Sequence, residues 1–402
     1  MCSCGREHSL STNLVIIAPG CLADVTAYMA QCGLGGITAA VYDTNTYQAT
    51  EGKHPQVDRE IILNPENLHA NEHGVELLKN QLPDNVAVLI AIGSGTIHDL
   101  TRYCAYQAGV PFVSCPTAAS VDGFCSSVAA MTWGGCKVTL TATAPVLVVA
   151  DLDIIRNAPV HLAKSGFGDM IGKYVALTEW QIGHILTGEY HCQRIAQMTL
   201  DAANAVLESA NGILSGSTET YEKLMYGLVL SGLAMQMMGN SRPASGAEHH
   251  ISHLIEMAPQ GLGVHSDALH GEKVGVATLL VLELYHRIAA SDHRWTDYTP
   301  YSEDYLAPVF GDLTPSILKE NKADCAAGIT GEQLTRCFPL FAALIRQLPS
   351  ADDLRKTYIR LGIKNTLSDI QVDNSKREQL IAYAPCVRNR LTLMRLMKCM
   401  QQ

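Results

Sequence analysis

The chain has 402 residues, 47% hydrophobic and 17% charged, with a formal net charge of −10. That balance describes a well-buried globular protein and excludes a disordered or fibrous chain, and the acidic excess offers no basic face to nucleic acid or an anionic membrane. The 13 cysteines lack a disulfide-like pattern, the chain begins polar, and no apolar run reaches the roughly 20 residues of a membrane span, so a cytoplasmic location with reduced thiols is expected.

Cys2, Cys4 and His8 come first and have ligand chemistry. No second ligand pair follows at zinc-finger spacing, so sequence alone does not make them a site. Short apolar runs then recur at 14–18, 37–42, 61–63, 86–92, 112–115 and 146–150, separated by segments of helix length. Continuous apolar runs of this kind indicate a buried parallel sheet. After about Asp153 the pattern becomes helical, with helices expected at 174–185, 192–214, 221–238, 249–255, 272–289, 331–348 and 350–361. The expectation is an α/β N-terminal domain with a parallel Rossmann-like sheet, residues 1–160, followed by an all-α C-terminal domain, residues 161–402.

Several motifs carry chemistry. Gly93-Ser94-Gly95-Thr96-Ile97-His98-Asp99 follows the strongest strand and opens a helix. A helix N-terminus offers unbonded N–H groups and a positive dipole end to a pyrophosphate, although the third glycine of the usual dinucleotide fingerprint is missing. Asp43 closes the second strand, where an acidic residue either hydrogen-bonds an adenosine ribose, favouring NAD over NADP, or caps a turn. Cys115 to Ser127 clusters small hydroxyl residues around Asp122 and Gly123. Asp169 reads as part of a glycine-flanked loop entering a helix, with Lys173 four residues on.

The densest signal lies between Asn240 and Gly271. His249 and His253 are four apart, on one helix face, and His270 precedes a second helix. Imidazoles converging with a carboxylate such as Asp169 form a nitrogen and oxygen ligand set fit for Zn²⁺, Ni²⁺ or Fe²⁺. His250 and His265 are spare candidates.

Together these segments resemble the polyol-type branch of the iron-containing alcohol dehydrogenase superfamily, and within it the bacterial sn-glycerol-1-phosphate dehydrogenases. The similarity runs from about Ile16 to the Glu272 helix. It is most specific in Ser241-Arg242-Pro243-Ala244-Ser245-Gly246-Ala247-Glu248-His249 with His253, and in Leu269-His270-Gly271-Glu272-Lys273-Val274-Gly275. Ser94 departs from the family, where many members carry three glycines in a row. The resemblance implies a dehydroquinate synthase-like architecture and one divalent metal ion per subunit, Zn²⁺ or Ni²⁺, held by Asp169, His249 and His270. It implies NAD, possibly also NADP, contacted by Asp43, Gly95, Thr96, Ile97, His98, Asp99, Thr117, Ala118, Ala119, Ser120 and Ser126. Asp122, Asp169 and His253 would touch a small phosphorylated substrate, with Asp169 and His253 catalytic, and the molecule would be a homodimer. The implied reaction is reversible reduction of dihydroxyacetone phosphate to sn-glycerol 1-phosphate. An unphosphorylated polyol dehydrogenase and a dehydroquinate synthase-type lyase are the alternatives. Arg242 and Lys173 are the nearest cations in sequence for the phosphate.

Overall fold

The computed structural model describes residues 2–134 and 136–401. Eight strands lie in its first part: β1 Leu14–Ala18, β2 Ile37–Asp43, β3 Arg59–Leu63, β4 Val86–Gly93, β5 Phe112–Pro116, β6 Val128–Trp133, β7 Cys136–Thr141 and β8 Leu147–Asp151. Six of them form one parallel sheet in the order β1-β8-β5-β4-β2-β3. Successive side chains of a strand point to opposite faces, and both faces here are covered. Leu89 and Ala91 of β4 enter one buried cluster with Val41, Leu100 and Phe112. Val88, Ile90 and Ile92 enter another with Leu22, Val25 and Tyr42. That double burial explains why these strands read as unbroken apolar runs.

β6 and β7 form an antiparallel hairpin outside the large sheet. The Gly134-Gly135 pair between them is a hairpin signal that the sequence reading passed over.

The chain divides into two compact units, residues 1–170 with 204–240 and residues 171–203 with 241–402. These differ from the division at residue 160. Residues 204–240, which carry the helix Thr218–Met238, belong with the sheet even though they follow the helical stretch that starts the second unit. The expected helix over 192–214 is broken into Gln193–Glu208 and Gly212–Ser215. In the second unit the helices Ala247–Met257 and His270–Ala289 pack on each other, and Gly331–Ile345 packs on His270–Ala289 and on Lys173–Thr187. Among the described residues no helix is long and apolar enough to cross a membrane.

Candidate active site

In the first unit the loops of interest lie at the carboxyl edge of the parallel sheet, where open α/β sheets bind ligands. Gly95 is the first residue of the helix Gly95–Ala108, and Ser94 is its N-cap. The Ser94 backbone is extended, at φ −109° and ψ −159°. Any residue adopts that conformation, so serine replaces glycine there without strain. Its hydroxyl lies 2.8 Å from that of Ser120, and the Thr117 N–H donates to the Gly93 carbonyl at 2.9 Å. The 117–120 segment is thereby tied to the 93–95 turn.

The same segment meets the helix Val160–Ile171 closely. A Cβ on Gly166 would stand 2.1 Å from the Ala119 carbonyl oxygen. Ser165 donates to the Ser120 carbonyl at 3.0 Å, and the Asp122 N–H donates to Asp169 Oδ2 at 3.0 Å. Ser231 donates to Asp122 Oδ2 at 2.8 Å. Asp169 therefore sits inside a helix, buried, rather than in the loop expected from its flanking glycines. Gly166 permits close approach instead of a turn. Lys173 begins the next helix, beyond Gly172.

Asp43 caps the short helix Thr44–Ala49, its Oδ1 accepting from the Thr46 N–H at 2.8 Å. The cap expected as an alternative to a ribose contact is thus present. His98 lies beneath the turn, with Nε2 2.8 Å from Ser114 Oγ and Nδ1 3.0 Å from the Ser94 carbonyl. Burial, with Arg102 nearby, pushes its pKa down to about 3. Arg102 was missed by sequence reasoning. Its buried guanidinium donates to the Val128 and Phe124 carbonyls and braces the segment that carries Ser126.

In the second unit His249, His253 and His270 come together. Their ring centroids are 5.3 Å apart for His249 and His270, and 5.9 Å for each pair that includes His253. Each of the outer two is backed by a carboxylate. His249 Nδ1 is 2.7 Å from Glu248 Oε1, and His270 Nδ1 is 2.9 Å from Glu256 Oε1. A carboxylate only accepts, so each neutral ring carries its proton on Nδ1 and its lone pair on Nε2. A carboxylate behind one imidazole nitrogen is how metal-binding histidines are held. Nδ1 of His253 is buried with no hydrogen-bond partner among the described residues. The donor set therefore fits a divalent cation.

Burial raises the Glu256 carboxyl, but His270 and Lys273 outweigh it and hold the group well below its usual range. Burial pushes His253 well below its usual value, against the pull of Glu256. Glu248 and Glu256 were not named from sequence. Their signal was there, in a glutamate directly before His249 and another three residues after His253.

Local geometry explains the two helix starts. A Cβ on Gly246 would meet Ala176 Cα and Glu248 Oε2, both at 2.9 Å. The Leu269 N–H donates to Glu272 Oε2 at 2.8 Å, which fixes His270 as the first residue of its helix. The spare histidines lie elsewhere in the unit's chemistry. His250 is wholly buried, with no partner for either nitrogen among the described residues, and His265 is exposed and 3.0 Å from Asp267.

The two cations assigned to the phosphate have other work. Arg242 donates through Nε to Glu189 at 2.7 Å, through a second nitrogen to the same carboxylate, and to the Leu391 carbonyl at 2.8 Å. Lys173 is fully buried and donates to the Ala244 carbonyl at 3.0 Å. Arg390 donates to the Ser245 carbonyl and to Ser241 Oγ. These three cations hold the Ser241–Gly246 segment that launches the His249 helix. Buried cations require such partners, and these contacts give Arg242 and Lys173 a structural role in this segment.

Comparison with known proteins agrees with this layout. Residues 16–159 match the family model described as iron-containing alcohol dehydrogenase. Solved structures with the same fold include an iron-containing alcohol dehydrogenase from Corynebacterium glutamicum (TM-score 0.60, 16% identity, 98% of this chain and 95% of that one). A glycerol dehydrogenase from Schizosaccharomyces pombe also matches (TM-score 0.57, 17% identity, 93% and 97%). Fold and sequence together define the iron-containing alcohol dehydrogenase class. Curated relatives narrow it. A glycerol-1-phosphate dehydrogenase [NAD(P)+] of Halalkalibacterium halodurans is 39% identical over 295 residues, covering 71% of this chain and 73% of that protein. One from Geobacillus stearothermophilus is 31% identical over 405 residues, covering 98% and 94%. The chain belongs to the glycerol-1-phosphate dehydrogenase family.

Proposed function

We propose that this protein catalyses the reversible reduction of dihydroxyacetone phosphate by NADH or NADPH to sn-glycerol 1-phosphate, with a divalent cation held by Asp169, His249 and His270. The observation that carries the metal assignment is the pair of carboxylate-backed imidazoles in a chain of this family. When bound, the cation polarises the substrate ketone and the nicotinamide supplies the hydride.

The protein's own residues position and protonate. The Asp122 N–H donates to Oδ2 of Asp169 and orients its carboxylate. His253, held neutral, contacts the substrate hydroxyl and passes the proton that the reduced oxygen gains. The N–H groups of Gly95, Thr96 and Ile97 receive the pyrophosphate, since the His98 N–H already bonds the Ser94 carbonyl. His98 and Asp99 support that turn. Thr117, Ala118, Ala119, Ser120 and Ser126 line the rest of the dinucleotide path, and Asp122 borders the substrate. Asp43 meets the adenosine ribose with the oxygen its cap does not use, which favours NAD over NADP. The family resemblance supports Zn²⁺ or Ni²⁺ as the ion and a homodimer as the assembly. The lack of a disulfide-like pattern among the 13 cysteines of the sequence supports a cytoplasmic location.

Comparing dihydroxyacetone phosphate with dihydroxyacetone under NADH tests the substrate. The phosphorylated ketone is expected to have a kcat/KM at least about 100-fold higher, roughly 2.7 kcal/mol of transition-state binding. Equal values would replace this reading with the dehydrogenase of an unphosphorylated polyol.

A further inference from the structure

Ahead of β1 lies another set of ligand side chains, of different chemistry from the histidine cluster. The Gly5 N–H donates to the Cys2 carbonyl at 3.0 Å, and the Cys2 N–H donates to the Arg6 carbonyl at 3.1 Å. Gly5 closes this turn at φ 81°, a conformation that costs glycine little. The turn gathers Cys2, Cys4 and His8 so that one ligand atom of each lies within 4.8 Å of the others. Cys4 Sγ is 3.3 Å from His8 Nε2.

The imidazole is oriented from its far side. His8 Nδ1 lies 2.9 Å from the Met237 carbonyl. A carbonyl only accepts, so Nδ1 carries the proton and the Nε2 lone pair faces the sulfur. A backbone carbonyl behind one nitrogen, with thiols before the other, is the support that fixes a metal-binding histidine. Bonds of about 2.3 Å to sulfur and about 2.0 Å to nitrogen place tetrahedral ligand atoms roughly 3.5 Å apart. The Cys4–His8 separation already matches, and the Cys2 ligand atom lies within 4.8 Å of both.

The surroundings suggest a role. Met237 lies in the last turn of the helix Thr218–Met238, and its neighbour Gln236 accepts from the Ser11 N–H at 2.9 Å. Gln236 also donates to Thr12 Oγ1 at 2.9 Å and to the Cys125 carbonyl at 2.6 Å. Five residues earlier, Ser231 holds Asp122. An ion on Cys2, Cys4 and His8 would fasten the leading segment to the helix that buttresses the Asp122 loop.

We propose that Cys2, Cys4 and His8 form a second divalent-metal site, structural rather than catalytic and suited to Zn²⁺. Soft thiolates with an imidazole select Zn²⁺ over Mg²⁺, Ca²⁺ or Mn²⁺. Each thiol gives up its proton on binding, and no redox step is involved.

The test uses the full chain, reduced, stripped with chelator and then reloaded with Zn²⁺ alone. Thiol alkylation followed by peptide mass mapping reads Cys2 and Cys4 directly. With Zn²⁺ both are expected to alkylate at least about tenfold more slowly than without it, because a metal-bound thiolate is withdrawn from reaction. His8→Ala is expected to abolish the protection and to lower bound Zn²⁺ by one equivalent. Co²⁺ loading is expected to give a thiolate-to-metal charge-transfer band that Cys4→Ser weakens. Alkylation at the same rate with and without Zn²⁺ in the wild-type chain would overturn the site, as would unchanged Zn²⁺ content in a folded His8→Ala chain. The wild-type footprint decides the matter even if the variants fail to fold. No thiol belongs to the proposed catalytic metal site, so the footprint should persist in His249→Ala. Failure here is therefore distinct from failure of the catalytic reading.

Discussion

His249 and His270 each have a carboxylate at Nδ1, and what those carboxylates do can be separated from what the imidazoles do. Glu256→Gln keeps the shape but removes the charge that orients His270. It is expected to weaken metal binding about 10- to 100-fold, a loss that a metal-buffered titration reads and that saturating metal repairs. His253→Ala is expected to retain the metal and lower kcat about 10²- to 10⁴-fold, the usual contribution of a positioned proton-transfer group. Loss of metal from His253→Ala would place that ring among the ligands instead. Arg242→Ala is expected to leave the KM for dihydroxyacetone phosphate unchanged. It should lower stability by about 1–3 kcal/mol in a urea titration, since the Leu391 carbonyl loses its donor and Glu189, itself partly exposed, loses its cation. A raised KM with intact stability would return Arg242 to the phosphate.

The contact between the helix Val160–Ile171 and the 117–120 segment depends on Gly166. In an open helix Gly→Ala gains up to about 1 kcal/mol. Here the new Cβ meets a backbone carbonyl that cannot yield cheaply. Gly166→Ala is expected to destabilise the chain by about 1–3 kcal/mol and to raise the KM for NADH by displacing Ala119, measured by urea unfolding and initial rates. The six sheet strands and most long helices were legible because their burial pattern is written in apolar periodicity. β1 occupies the residues that sequence reading gave it. The helix around Asp169 was misread as a loop because glycine usually breaks helices, whereas Gly166 here serves a close approach that only tertiary packing reveals. The histidines stood out by clustering and by resemblance. Glu248 and Glu256 did not, because a glutamate on a helix is ordinarily a solvated residue and only the fold turns these toward imidazoles. The structural contacts of Arg242 and Lys173, to Glu189 and the Ala244 carbonyl, were not legible because those partners are identified only once the chain is folded.

Two buried groups, one in each unit, give the whole molecule a pH signature. His98 has a folded pKa near 3, well below its unfolded value. The unfolded chain binds the extra proton, so the stability linked to His98 is present above about pH 6.5 and is lost as pH falls toward 3. Glu179 has the opposite sign. Burial raises its carboxyl to about 8, against its hydrogen bonds from Tyr285 and Leu393. The folded chain then holds the proton, so stability falls as pH rises from the normal carboxyl range through about 8. The two slopes oppose each other between roughly pH 4.5 and 6.5, but burial also depresses His191, His250 and His253, which add to the acid limb, so stability is expected to be greatest near pH 6.5, with decline on either side. Urea midpoints of the metal-free chain across pH 4–9 check this. Glu179→Gln should flatten the alkaline limb and His98→Gln should make the acid limb shallower, and unchanged limbs would contradict the assignments.

The central claim is that a metal at the carboxylate-backed histidines drives reduction of a phosphorylated ketone to one particular enantiomer. Its most direct test is NADH oxidation with dihydroxyacetone phosphate by apoprotein reloaded separately with Zn²⁺ and Ni²⁺, the product then being offered to a stereospecific glycerol-3-phosphate enzyme. Metal-dependent oxidation yielding a product that this enzyme rejects is the predicted result. No oxidation with either ion, although both histidines bind it, or a product the enzyme accepts, would contradict the account.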